Sequence, residues 1–326
     1  MIPDSFSDIF TRKVLIDSSN RIQKVIHHTP VLTCSHFNQV CGGELYFKCE
    51  NFQKIGAFKM RGASNAILKL PSEKQKLGVA THSSGNHAQA VALAAKMAGI
   101  PAYIIMPENA PQVKIDAVKE YGAKVYFCKP TLEAREASLE HVVDQTGAIF
   151  IPPYDHPDII AGQATASMEL LKEVPDLDLI IAPIGGGGLL AGAALAAYFF
   201  SEKCKVYGAE PAGADDAYRS FQNKKLEPSI GPKTMADGLL TSVGKMNFSI
   251  ISKLVEDILL VEEKEIANAM KNIMERMKLM VEPSAAVPLA AVLKNNVLFK
   301  NKKTGIILSG GNIDLFRIHE LLQILK

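Results

Sequence analysis

The chain has 326 residues, 48% apolar and 21% charged, and its 36 Lys and Arg against 34 Asp and Glu leave a net charge of +2. That is the balance of an ordinary globular protein long enough for two domains. So small a net charge, with basic pairs only at Lys224-Lys225 and Lys302-Lys303, argues against nucleic acid or an anionic membrane as partner. No apolar run reaches the length a bilayer requires. The first residues, with Asp4, Asp8, Arg12 and Lys13, lack the apolar core of a signal peptide. Five cysteines without a CxxC pair fit a reducing cytosol better than a disulfide or zinc framework, so a cytoplasmic protein is expected.

In chain order, short apolar runs predict strands over 44–49, 78–81, 102–106, 124–127, 179–184, 205–209 and 305–309. Longer stretches between and beyond them predict helices over 58–70, 85–98, 111–121, 131–146, 159–174, 189–200 and 264–280. This alternation is that of an α/β protein with parallel sheets covered by helices on both faces. The phrases around Gly99 and Tyr121-Gly122, each a helix ending in glycine before a strand, place a smaller domain at 78–155. Residues 1–77 and 156–326 would form the larger one, with Pro152-Pro153 as the return hinge.

Five segments carry candidate chemistry. Lys59 lies between Phe58 and Met60 where a helix is expected to begin; an amine desolvated there has a lowered pKa and is a nucleophile or base near neutral pH. Thr81-His82-Ser83-Ser84-Gly85-Asn86-His87 ends a strand and opens a helix, offering amides and hydroxyls to a carboxylate. Gly185-Gly186-Gly187-Gly188 between an apolar strand and an apolar helix is a phosphate cradle without a Lys or Arg. Glu210 and Asp216, with backbone carbonyls between them, suit a hard divalent cation. Ser309-Gly310-Gly311-Asn312 is a further strand end running into glycines. Read singly, each has a plainer alternative: a snorkelling surface lysine, a capped helix, a tight turn or a solvated acidic loop. A Schiff-base lysine, a phosphate anchor and a carboxylate cradle together fit one cofactor, pyridoxal 5′-phosphate.

In this order, over nearly the whole chain from His28-Thr29-Pro30 to Asn312-Ile313-Asp314, the motifs resemble the fold-type II pyridoxal-phosphate enzymes (tryptophan synthase β-like). The branch is that of the serine racemases and serine/threonine dehydratases. The resemblance implies two open, twisted, mostly parallel sheets flanked by helices, with the smaller domain mobile. It implies Lys59 as the residue bearing the cofactor and Phe58 packed on its ring. Asn86 would sit at the ring hydroxyl, and the amides of Gly185, Gly186, Gly187, Gly188 and Leu189 at the phosphate. Ser309 would meet the ring nitrogen, and Ser83, Ser84, Asn86 and His87 the substrate carboxylate. Arg135 and Thr241 would reach substrate on domain closure. Glu210, Ala214 (through its carbonyl) and Asp216 match a site for Mg²⁺ (or Mn²⁺ or Ca²⁺), and Ser35, Lys54, Gln89 and Tyr121 a site for ATP at the interface of a homodimer.

The implied activity is interconversion of L- and D-serine, with β-elimination of serine and threonine to a 2-oxo acid and ammonia. Lys59 and Ser84 would be the two bases on opposite faces of Cα. A neutral serine at the ring nitrogen disfavours a long-lived carbanion, which suits racemisation and elimination better than transamination. The alternative is a dehydratase of serine, threonine or 3-hydroxyaspartate with little racemase activity, and the stretch 152–157, with Tyr154, reads more like that side of the branch.

Overall fold

The computed structural model describes residues 6–110 and 112–326. Asp4 and the first position of the helix expected over 111–121 lie outside the described residues. Among the described residues ten strands form two sheets: β1 (Val31–Thr33), β2 (Glu44–Cys49), β3 (Val79–His82), β4 (Ala102–Pro107), β5 (Lys124–Cys128), β6 (Ile149–Phe150), β7 (Leu179–Pro183), β8 (Lys205–Pro211), β9 (Asp257–Val261) and β10 (Lys303–Leu308). The six-stranded sheet runs β1-β2-β10-β7-β8-β9 and is parallel except for β1. The four-stranded sheet, β5-β4-β3-β6, is parallel throughout.

Alternation along the strands divides the core. Leu179, Ile181, Ile306 and Leu308 face one side of the larger sheet with Phe37, Phe47 and Leu289. Ile180, Ala182 and Ile307 face the other, with Ile160, Leu190 and Ile250. With both faces covered, these strands read as unbroken apolar runs, which made them legible. In the smaller sheet Val79, Ile104 and Met106 pack under the helices Lys59–Lys69 and Asn86–Ala98, while Ala80 and Ile105 face Leu139 and Val142.

The expected strands and helices are present with shifted ends, and others join them. β1 and β6 have three and two residues, too few for a period to register. The helix Pro283–Lys294 is buried over most of its length and contains Pro288, so it has neither a polar face nor an unbroken run to announce it. The helix expected over 264–280 is shorter. It runs Glu263–Asn272, continues as a single π-turn Ile273–Met277, and stops where Lys278 turns left-handed at φ 60°.

Three helices fix the geometry that matters. Helix Lys59–Lys69 crosses helix Pro157–Glu173 where a Cβ on Gly162 would lie 2.6 Å from the Gly62 Cα. Helix Gly188–Phe200 crosses the same helix where a Cβ on Gly192 would lie 2.7 Å from the Ala164 amide. Beside the first crossing, the fully buried Arg61 donates to Glu50 at 2.7 and 2.8 Å and to Glu169 at 2.7 and 2.8 Å. Lys48, also buried, pairs with Glu169 at 2.8 Å. Such a cluster holds because each charge has its partner. Replacing Arg61 by Met strands the buried Glu50 carboxylate. Urea unfolding is expected to show a loss of about 3–5 kcal/mol, and a loss under about 1 kcal/mol would mean the cluster clamps nothing.

Candidate active site

The site forms where parallel strands end, the place an open α/β sheet offers a ligand. β10 runs into Ser309, whose carbonyl accepts from the Phe58 amide at 3.0 Å, and Ala57 bridges Gly310. The Gly311 amide donates to the Gly56 carbonyl at 2.9 Å. Asn312 Nδ2 donates to the Ile55 carbonyl at 2.6 Å and to Asn86 Oδ1 at 2.8 Å. Ile55 is thereby held at φ +61°, a left-handed conformation that strains a β-branched residue. The strained turn directly precedes the lysine. Asn86 Nδ2 in turn donates to both oxygens of Glu282, at 3.0 and 3.2 Å.

Lys59 begins its helix with the amine withdrawn from water. Nζ donates to the Pro153 carbonyl at 2.7 Å and lies 5.2 Å from the centre of the Phe58 ring and 6.0 Å from that of Tyr154. Burial lowers this amine to about 8, against the opposing pull of Glu282. Burial likewise pushes Glu282 up to about 7, although the Asn86 amide favours its charged form. His87 is pushed down to about 3, first by burial and then by Lys59, so its ring is neutral. His87 Nε2 faces the Ile151 carbonyl at 3.0 Å and must carry the proton, since a carbonyl only accepts. Its Nδ1 is then a buried lone pair without a partner among the described residues.

Two helix N-termini open here without side-chain caps. Helix Asn86–Ala98 starts from Gly85, whose amide donates to Ser83 Oγ at 3.3 Å. Helix Gly188–Phe200 starts from Gly187 at φ +90°. The amides of Gly185, Gly186 and Gly187 are buried and have no acceptor among the described residues, a costly state that an anion relieves. Nor is there room for side chains. A Cβ on Gly185 would lie 2.9 Å from the Leu239 Cα, one on Gly186 would enter the Tyr154 ring, and one on Gly187 would lie 2.9 Å from the Asn247 Cβ. A free amine of lowered pKa near this loop fits a phosphorylated aldehyde such as pyridoxal phosphate.

Of the residues singled out from the sequence, Phe58, Lys59, Ser83, Asn86, Ser309 and the glycine loop meet at these strand ends, with Ser84 in the turn that opens the Asn86 helix. Thr241 lies beside Tyr154, whose ring covers Gly186. Arg135 lies on helix Leu132–Thr146 with a buried Nε that has no partner among the described residues. Glu210, at the end of β8, accepts from the Ala217 and Tyr218 amides at 3.1 and 2.8 Å, and Asp216 accepts from Val243 at 2.8 Å. Burial raises both carboxyls, Glu210 strongly; the charge of Asp216 raises Glu210 further, and that of Asp215 raises both. Among the described residues no three His, Cys, Asp or Glu side chains cluster as metal ligands. A cation there would therefore draw on the Ala214 carbonyl and water, which suits Mg²⁺ or Ca²⁺.

Lys54 and Tyr121 lie beside the Asn86 helix, which carries Gln89, whereas Ser35 opens helix Ser35–Cys41 against the core of the larger sheet. Glu282 and Asn312 escaped the sequence reading as site side chains. The one available signal for Glu282 was an acid opening an otherwise apolar helical stretch.

A family model described as pyridoxal-phosphate dependent enzyme matches residues 22–310. The chain is similar to a serine racemase of Dictyostelium discoideum, 50% identical over 317 residues that cover 96% of this chain and 98% of that one. It is also similar to an L-threo-3-hydroxyaspartate ammonia-lyase of Saccharomyces cerevisiae, 46% identical over 99% of this chain and 98% of that one. The crystal structure of the Dictyostelium discoideum serine racemase superposes with a TM-score of 0.91 at 49% identity, covering 94% of this chain and all of that one.

Two titrations follow from the buried groups. In the cofactor-free protein, acylation of Lys59, read by mass spectrometry, is expected to rise through pH about 8; a rise centred near 10.5 would mean a solvated amine. Glu282 holds its proton to about 7 when folded against 4.5 as its ordinary value, so folding binds a proton between these limits and stability falls as pH rises through them. Glu282→Gln removes that cost. Its melting temperature is expected to match the native protein's at pH 4 and exceed it at pH 8, by about 1–3 kcal/mol of stability. A variant less stable at pH 8 would sink the assignment.

Proposed function

The chain belongs to the pyridoxal-phosphate dependent enzymes, and on that premise we propose that it racemises serine and dehydrates serine and threonine. The carrying observation is the Lys59 amine, lowered to about 8 and enclosed beside an uncapped glycine loop whose amides lack acceptors. The full-length similarity to serine racemases supports the substrate class. When bound, pyridoxal phosphate supplies the electron withdrawal that acidifies the amino-acid Cα.

The chain's own residues do the rest. Lys59 holds the cofactor and then, as a free amine, takes or returns the Cα proton on one face. Ser84 does the same on the other, so a proton removed from one face and returned to the other inverts the centre. In elimination Lys59 takes the Cα proton, the released electron pair forms the Cα–Cβ double bond as the Cβ–O bond breaks, and the proton that Lys59 has gained goes to the departing hydroxyl, which leaves as water. Hydrolysis of the dehydrated amine then gives one 2-oxo acid and one ammonia. The open N-terminus at Gly85 with Ser83 holds the substrate carboxylate. His87 contributes its backbone amide there, since its ring donates to Ile151. Residues 78–155 close over the substrate as a mobile unit, bringing Arg135 toward it and excluding water.

Regulation belongs to the same reading. Glu210 and Asp216, two buried acids, and the Ala214 carbonyl would hold a divalent cation, whose charge would offset theirs. Ser35, Lys54, Gln89 and Tyr121 would hold ATP at the interface of a homodimer. A second reading, dehydration of 3-hydroxyaspartate with little racemisation, is favoured by the yeast relative.

Purified protein given L-serine with pyridoxal phosphate, Mg²⁺ and ATP is expected to form both D-serine and pyruvate. Pyruvate alone would favour the dehydratase, and neither product would remove the catalytic reading. Ser84→Ala is expected to lower racemisation by about 100-fold or more while elimination stays within about tenfold; parallel losses would undo the two-base assignment. Mg²⁺ added after EDTA treatment is expected to raise the melting temperature of the native protein but not of Glu210→Gln, and an unmoved native protein would leave the loop without a cation.

A further inference from the structure

Resting on the reading of the glycine loop as a phosphate site, we propose that Asn247, braced by Asp155, is a positioning residue that aims the loop's amides. Helix Lys245–Leu254 starts from Gly244 and has no side-chain cap of its own. Asp155, from a distant segment, supplies one: its carboxylate accepts from the Met246 amide at 3.4 Å and the Asn247 amide at 3.0 Å. This fixes the first turn, where a carboxylate also complements the helix dipole. The Asn247 side chain, fully buried, then donates Nδ2 to the Gly186 carbonyl at 2.7 Å. The Gly244 amide donates to the same oxygen at 3.1 Å.

The consequence follows from peptide geometry. The bond between Gly186 and Gly187 is trans, so its C=O and N–H point in opposite directions. Two donors draw the carbonyl toward the Asn247 helix, and the Gly187 amide is turned away from it. The helix side of Gly187 is closed by Asn247, Val243 and Ile251. Asn247 Oδ1 is buried without a partner among the described residues, a cost a hydrocarbon side chain would not incur. What the amide supplies in return is the Nδ2 bond. The brace is also tied to the lysine, because Asp155 follows Pro153, which accepts from Lys59, and Tyr154, whose ring covers Gly186.

The test compares pyridoxal 5′-phosphate with pyridoxal, which offers Lys59 the same aldehyde but no phosphate. Dissociation constants are read by spectroscopic titration of cofactor-stripped native, Asn247→Ala and Asp155→Asn proteins, with thermal melting as the check on folding. Asn247→Ala is expected to weaken the phosphorylated aldehyde about tenfold or more and pyridoxal less than about twofold. Asp155→Asn should shift the same ratio by about threefold. Equal weakening of both aldehydes would make Asn247 merely structural, and an unchanged ratio would overturn the proposal. If Asn247→Ala does not fold, the ratio for Asp155→Asn decides by the same criterion. A native protein that does not prefer the phosphorylated aldehyde would instead bring down the phosphate reading itself, and the proposal with it.

Discussion

Helix Pro157–Glu173 is the platform on which the rest of the site depends. The helix that carries Lys59 and the helix that follows the glycine loop both cross it, at Gly62 against Gly162 and at Gly192 against Ala164, with no space for a Cβ. Glycine crossings let backbones approach closely and leave little freedom to slide. The Arg61 cluster, reaching Glu169 on the same helix, pins the first turn of the lysine helix. The segment leading into the platform carries Pro153 and Tyr154, so it also meets the amine and covers the loop. One element therefore sets the spacing between the Lys59 amine and the glycine loop.

Electrostatically the platform and the site follow opposite rules. Around Arg61 opposite charges meet at hydrogen-bond distance, and that pairing outweighs burial: it raises the proton affinity of the guanidinium and lowers that of the Glu169 carboxylate. At the strand ends burial wins instead: Lys59 falls to about 8, Glu282 rises to about 7 and His87 drops to about 3, each moving toward its neutral form. What remains attractive to an anion is then the backbone, as unpaired amides and two uncapped helix ends. Such dipoles need no mobile counter-charge and do not titrate.

Much of this was legible before folding. Strands covered on both faces show as apolar runs, and Gly185 to Gly188 mark a turn that only residues without a Cβ occupy. Lys59 between Phe58 and Met60 pointed to a desolvated amine, and burial lowers it as that reading required. The short β1 and β6 and the Pro-containing helix Pro283–Lys294 were not legible, because neither length nor period separated them from loop. Glu282 was missed for another reason. It meets Asn86 across 196 residues of chain, and no local pattern encodes that pairing.

The sequence by itself determined the order of strand-end motifs and the residue types at each: an amine among apolar neighbours, amides without side chains, hydroxyls before a helix. These are local properties, written in adjacent residues. Only the tertiary structure decided which strand ends lie side by side, that Glu282 and Asn312 bracket Asn86, and that the lysine amine meets the Pro153 carbonyl. It also decided how far each group is removed from water. That distance governs which protonation state survives, because desolvation and pairing depend on neighbours that the linear chain holds a hundred or more residues apart.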